Sequence, residues 1–313
     1  MKNILVWLCF ALVFSTLLAQ KQKETLIQVQ WDNDLYLNLD KYYTNGFHLL
    51  LINPELKKIV INKILFPKKK ETNVFHGLSV SQEIYTPDKY MSKISLPNDR
   101  PYACALYATL FNINLHPSSH YSYTSSFSLG LIGPYALGKN VQLGWHEFIE
   151  AHRPRGWNTQ IKTDIIINYN IELQKGVINH NNMSLIVFNN LQLGTYKTKI
   201  EFGSKITLGI FNDKFSSLII TKNSNKNWLA NIEFEARTSF IGYDATMQGG
   251  LLTSENIVAF DSNYIKTMVH SGCASLNFGY KTFLITSSIT SLTPEFKDGK
   301  PHGYGSIKLT VAL

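Results

Sequence analysis

Long apolar runs are almost absent from this chain of 313 residues. Only the first twenty residues, MKNILVWLCFALVFSTLLAQ, hold one, and nothing downstream approaches the roughly 18 apolar residues that a membrane helix needs. A mean hydropathy of -0.07 is likewise too polar for a bundle of such helices. Charge is sparse, at 17%, against 44% hydrophobic residues, which excludes a disordered or fibrous chain. Acidic residues are scarcer than basic ones, 22 against 30, for a net charge of +8. A basic chain can face nucleic acid, anionic lipid or neither, and a Lys- and Asn-rich compositional habit explains the balance equally well. Cysteines number three, and the Gly-x-Ser-x-Gly elbow of a serine hydrolase is missing.

The opening segment reads as a secretory signal peptide, residues 1–19. Lys2 precedes an apolar run from Ile4 to about Phe14, and small residues lead to cleavage after Ala19. Cys9 lies too early in that run, before bulky Phe10, to be a lipoprotein cysteine. Its removal takes Lys2 and leaves a mature chain of +7 with Cys104 and Cys273. These are read as two free thiols, with a bridge as the alternative in an oxidising compartment. Sec-type export argues against a nucleic-acid partner.

What fills residues 20–313 is alternation of period two, the mark of strands with two unlike faces. Segments begin at Leu26–Trp31 and Phe47–Leu51 and continue near 74–85, 103–115, 121–133, 159–173, 182–193, 195–210, 229–243, 264–278, 280–291 and 302–313. They number twelve. Several are long for a soluble sandwich and right for tilted strands crossing a bilayer. In the last, Ile307, Leu309, Val311 and Leu313 are expected to face lipid, while Ser306, Lys308, Thr310 and Ala312 face inward. A secreted β-sandwich also alternates. Strand length, even count, abundant Tyr and Phe and the leader favour one transmembrane antiparallel β-barrel of about 12 strands, which also explains the lack of helical spans.

One segment departs from that period. In NVQLGWHEFIEAH, Asn140 to His152, apolar residues recur at helical spacing, and Gln142, His146 and Glu150 stack four apart on the other face. Pro154 and Gly156 stop the helix. Between the fifth and sixth strands it is expected in or over the extracellular mouth. A lone histidine is most often a surface residue; its place on the one irregular element makes His146 an equal candidate for a base. Near the start, Asp32, Asn33, Asp34, Asp40, Thr44 and Asn45 bring hard oxygen donors to the ends of two adjacent strands. Such donors suit Ca²⁺, or simply turn chemistry.

Taken in order, WDNDLY, DKYYTNG, QEIYTP, NDRPYA, GLIGPYALGKNVQLGWH and PRGWNTQ resemble the outer-membrane lipid A 3′-O-deacylase family over residues 31–160. The strand-rich remainder fits that family's length and its twelve-stranded barrel. The resemblance implies a calcium-dependent esterase of the cell outer membrane acting on lipid A in lipopolysaccharide. It places the family's Asn-Asp pair on Asn33 and Asp34, which become the metal candidates. Its threonine falls on Thr44, its Val-Gln glutamine on Gln142, its catalytic histidine on His146 and the arginine of its Asp-Arg element on Arg100. Arg100 is then a partner for a phosphate or for Asp99. Two departures stand out. The family's Lys-Arg pair is missing from the loop Asp88–Lys93, leaving Lys93 or Lys89 in its place, and Cys104 stands where glycine is usual.

Without a serine elbow, and with Ser271 next to His270 on one strand and so on opposite faces, water is the expected nucleophile. His146 would take its proton, histidine ordinarily titrating near pH 6.5. Ca²⁺ on Asp34 and its neighbours would polarise the ester, Gln142 or Glu150 would orient the imidazole, and Lys93 and Arg100 would meet the phosphorylated sugar. A phospholipid acyl hydrolase and a catalytically idle barrel are the alternatives; a channel is disfavoured because side chains and the 140–152 helix would fill the bore.

Overall fold

The computed structural model describes residues 25–37, 41–66, 73–94, 96–218, 227–253, 256 and 258–313. The leader, its cleavage after Ala19, and Asp40 fall outside them. Twelve antiparallel strands form one closed barrel, each pairing with its neighbours in sequence and β1 closing on β12. The strands are β1 (Leu26–Asn33), β2 (Tyr42–Ile52), β3 (Asn73–Thr86), β4 (Ala103–His116), β5 (Tyr121–Ile132), β6 (Asp164–Asn179), β7 (Met183–Gly194), β8 (Lys197–Ile210), β9 (Trp228–Asp244), β10 (Met268–Tyr280), β11 (Phe283–Leu292) and β12 (His302–Ala312). Closure pairs every strand edge, which is what hydrocarbon demands of a backbone that it cannot solvate. Among the described residues no helix is long and apolar enough to cross a membrane.

Alternation sorts the two faces as read from the sequence. On β12, Ile307 and Leu309 are exposed on the outer wall while Ser306 and Thr310 are buried inside. On β1, Gln30 and Asp32 line the lumen and Trp31 packs outside. Ser306 donates to Asp32 across the β1–β12 seam at 2.6 Å, so the closing pair is stapled from within. Three tight turns, 117–120, 180–182 and 281–282, lie at the end where the chain enters β1, as at a periplasmic rim, together with two longer connections, 53–72 and 211–227. The longer connections 87–102, 133–163 and 245–267 lie at the opposite, extracellular end.

Much of the lumen is polar, and several of its charges are matched. Glu83 accepts from the hydroxyls of Tyr85, Tyr107 and Tyr196 at 2.7, 2.5 and 2.6 Å and faces Lys197 at 3.7 Å. Glu201 accepts from Lys199, Arg237, Ser239 and Asn190 at 2.7 to 3.1 Å. Lys205 bridges Glu233 and Glu235 at 3.3 and 3.1 Å. A cavity of about 400 Å³ remains between these groups. Side chains alone narrow the bore; the helix expected to help fill it lies elsewhere. Cys104 and Cys273 are free thiols.

That helix, α1, spans Gly138–Phe148, starting earlier and ending sooner than its sequence period indicates. It lies near the extracellular end, yet against the outer wall instead of in or over the mouth. Glu83, Tyr85 and Tyr107 point into the lumen, so Gln82, Ile84, Cys104 and Leu106 point out. Onto that outward patch fold Ala136 and Trp157, with Gln82 donating to the Ala136 carbonyl at 2.7 Å. Gly138 sits so close to Cys104 and Trp157 that an added Cβ would lie 2.5 Å from the Cys104 Cβ.

Candidate active site

The face of α1 turned to the wall is the polar one. Gln142 and His146 are 3% and 6% exposed, whereas Phe148, on the apolar stripe, is 78% exposed. Expectation and structure differ here because the medium around the barrel is hydrocarbon: an apolar stripe faces out and polar groups seek the wall. Glu150 lies beyond the helix, exposed and with φ of 55°, so it does not share that face.

Opposite α1 stand the ends of β1 and β2. A bulge in the β2–β3 register between Tyr43 and Asn45 interrupts the alternation, so that Thr44 and Asn45 join Asn33 on the outer side. Asn33, Asp34, Thr44, Asn45, Ile84, Val141, Gln142, Trp145 and His146 line one cleft of about 20 Å³, room for one water or ion. Six residues singled out from the sequence thus meet there: Asn33, Asp34, Thr44, Asn45, Gln142 and His146.

Hydrogen bonds fix their orientation. His146 Nδ1 lies 2.6 Å from the His152 carbonyl oxygen. A carbonyl only accepts, so Nδ1 is the donor here, and it is Nε2 that bears the lone pair in the neutral ring. The chain turning back after α1 makes this possible, with the Ala151 amide donating to the His146 carbonyl at 2.8 Å. Tyr90, from the loop after β3, presents its ring edge-on 6.1 Å from the imidazole. The expectation that Gln142 or Glu150 orients the imidazole is therefore replaced by the His152 carbonyl. Gln142 Oε1 accepts from Trp157 Nε1 at 2.7 Å, and its buried amide nitrogen has no hydrogen-bond partner among the described residues. Trp145 Nε1 is buried and orphaned in the same way. Two unmet donors beside one cleft are costly unless something there accepts from them.

Asn33 donates its amide to the Thr44 carbonyl at 3.2 Å, which leaves its side-chain oxygen as the acceptor end. Asp34 Oδ2 accepts from the Lys41 amide at 2.8 Å. An amide oxygen, a carboxylate and a threonine hydroxyl are all hard donors, the set that suits Ca²⁺ better than zinc or copper. Among the described residues no group of three His, Cys, Asp or Glu side chains gathers as a metal site, so any ion here would rest on amide and hydroxyl oxygens beside Asp34.

A family model for the outer membrane protein LpxR matches residues 5–313. The chain belongs to the LpxR family. Its motifs resemble the same family. Of solved structures, LpxR from Salmonella typhimurium superposes with a TM-score of 0.74 at 18% identity, covering 92% of this chain and 100% of that one. The β-domain of the Bordetella autotransporter BrkA follows the barrel with a TM-score of 0.51 at 6% identity, covering 93% and 99%. No curated protein matches the chain.

In this LpxR-family barrel the cationic residues read from the sequence divide. Lys93 and Lys89 are exposed on the loop that carries Tyr90. Arg100 is 1% exposed and turned inward. Its guanidinium donates to Glu295 at 2.5 Å and to Thr246 at 2.7 Å and stacks on the Tyr85 ring at 4.5 Å. It therefore meets neither a sugar phosphate nor the Asp99 carboxylate, which accepts from the amides of Asp88, Lys89 and Arg100. Glu295, on the loop between β11 and β12, is invisible as a partner from a motif read locally. Trp145, Ile84 and Trp157 carry no signal in the sequence as site residues, whereas Asn45 stands among the oxygen donors of the first two strands. Trp145 falls on the apolar side of the helical period, and its buried indole N–H is what distinguishes it.

Proposed function

We propose that this protein is a lipid A deacylase of the outer membrane, an esterase removing the 3′-O-linked acyl or acyloxyacyl group with water as nucleophile. The observation that carries the reading is the meeting of Asn33, Asp34, Thr44, Gln142 and His146 in one cleft on the outer wall, beside membrane lipid. His146 Nε2, its lone pair fixed by the Nδ1–His152 bond, takes the proton of the attacking water and returns it to the sugar hydroxyl as the ester breaks. The orphaned Gln142 amide donates to the carbonyl oxygen as it gains charge, and Trp145 Nε1 is a second donor. Asn33, Asp34 and Thr44 would hold Ca²⁺, which supplies Lewis-acid polarisation of the ester. Acyl chains lie along an aromatic run on the outer face. There Tyr36, Trp31, Trp145 and Phe148 follow one another at ring separations of 6.1, 5.3 and 5.8 Å. Lys93 and Lys89 face the phosphorylated sugar from the rim.

Mass spectrometry of lipid A from an outer membrane carrying this chain tests the reading. A mass loss of one acyl or acyloxyacyl group, abolished by chelator and by His146→Ala, is expected. Unchanged lipid A from a folded wild-type barrel sinks it.

A further inference from the structure

Two connections at the periplasmic end are long, that between β8 and β9 and that between β2 and β3, and the second lies against the outer wall. It carries two short 3₁₀ helices, Pro54–Lys58 and Val60–Ile64, and folds back over the outer wall. Outward positions of β4 and β5 at this level are polar: Asn112, Asn114 and Ser125 share faces with Leu106 and with exposed Leu129. All three are nonetheless buried, because the connection covers them. The Phe66 amide donates to Ser125 Oγ at 3.0 Å, Asn112 donates to the Phe66 carbonyl at 3.0 Å, and Tyr169 donates to the Ile64 carbonyl at 2.9 Å. Asn62 ties the strap together through the Leu56 carbonyl at 2.6 Å and His76 at 3.3 Å. Polar groups on a lipid-facing wall would otherwise be unsatisfied in hydrocarbon.

The strap presents its own outer surface. Val60 and Ile64 are 71% and 52% exposed, and Ile59, Ile61 and Phe66 are exposed beside them. Lys57, Lys58 and Lys63 are exposed among these apolar residues. The segment's one acid, Glu55, is taken up by Lys58. Apolar side chains interleaved with lysines are the composition of an interfacial element: apolar groups sink to the acyl boundary while ammonium groups stay at headgroup level.

We propose that the strap, residues 54–66, is a binding site for anionic phospholipid of the periplasmic leaflet. Lys57 and Lys63 engage the headgroup phosphate, and Val60, Ile61 and Ile64 lie against the acyl chains. The site is on the opposite rim from the cleft and does not depend on the esterase reading.

Native mass spectrometry of the full chain, released from detergent with equal phosphatidylglycerol and phosphatidylcholine, provides the test. Wild type is expected to retain phosphatidylglycerol preferentially. K57Q/K63Q should lose about twentyfold of that preference. K281Q, a lysine in the tight β10–β11 turn at the same rim, should keep it. Equal retention of both lipids by wild type, or an unchanged preference in K57Q/K63Q, would overturn the proposal. So would competition by millimolar inorganic phosphate, which would mark a free-ion site. A wild-type dimer that dissociates in V60E/I61E would overturn it in favour of a second copy covering the strap.

Discussion

The lumen holds a better-looking set of catalytic residues than the outer cleft. His48 lies 2.9 Å from Ser81 Oγ through Nδ1 and 3.2 Å from Asp32 through Nε2, a serine, a histidine and an aspartate in hydrogen-bond contact. His146, on the outer wall, has a backbone carbonyl and no carboxylate. The difference lies in what is left over. Asp32 also accepts from Tyr43, Ser306 and Gln30, Ser81 is buried, and the neighbouring strand amides are bound into the ladder. None of these side chains keeps a buried polar atom without a partner. The cleft keeps two unmet N–H donors beside the His146 imidazole at the edge of the lipid phase. Reactivity follows the unsatisfied groups, and matched ones hold the barrel together.

Exchanging the two histidines breaks this comparison most directly. His146→Ala is expected to lower deacylation by about 10²–10⁴-fold with the barrel intact, because it removes the base. His48→Ala should leave turnover within a few-fold and lower the melting temperature, because it strips a partner from buried Asp32. Rates on purified lipid A, with heat-modifiable migration on gels to report folding, separate the two. Arg100 comes next. Arg100→Ala leaves Glu295 buried without its partner, at a cost of about 3–5 kcal/mol of stability. A paired Arg100→Met, Glu295→Leu change should recover most of it, in thermal melts of the detergent-solubilised protein. Gln142→Ala removes one donor to the developing oxyanion and should cost about 10²-fold in kcat. Gln142→Glu keeps an acceptor for Trp157 yet offers no N–H, and should be as slow. If Gln142→Glu turns over like wild type, the orphaned amide has no part in the reaction.

The barrel was legible because each strand repeats a two-residue period that survives any medium: Ile307, Leu309, Ser306 and Thr310 fall on the faces assigned from sequence. The helix was legible in place and period but not in orientation. Its stripe tells which residues lie together, and only the surrounding solvent decides which side goes in. That is why the sequence weighs a surface place and a base's role equally for His146, and the fold buries it. Arg100 shows a second limit. Its motif gives a charge and a neighbour, Asp99, while its partner stands almost two hundred residues away on another loop. The strap at 54–66 shows a third, since Asn112 and Ser125 look like lumen residues until something is seen to cover them from outside.

The smallest effect expected from the matched network is its response to acid. Burial alone would raise the carboxyl of Glu295, but Arg100, with help from His302, holds it below the ordinary carboxylate range. A carboxylate lowered in the folded state binds fewer protons there than in the unfolded chain. Its contribution is therefore complete above the unfolded value of about 4.3 and fades as pH falls through the folded one. Wild type should accordingly lose more thermal stability between pH 6 and pH 3 than Glu295→Gln, which has no proton to gain at that position. The variant starts lower at neutral pH, where the ion pair is at full strength, and the two curves converge in acid. Curves that stay parallel throughout would mean that Arg100 and Glu295 are coupled through packing and hydrogen bonds alone.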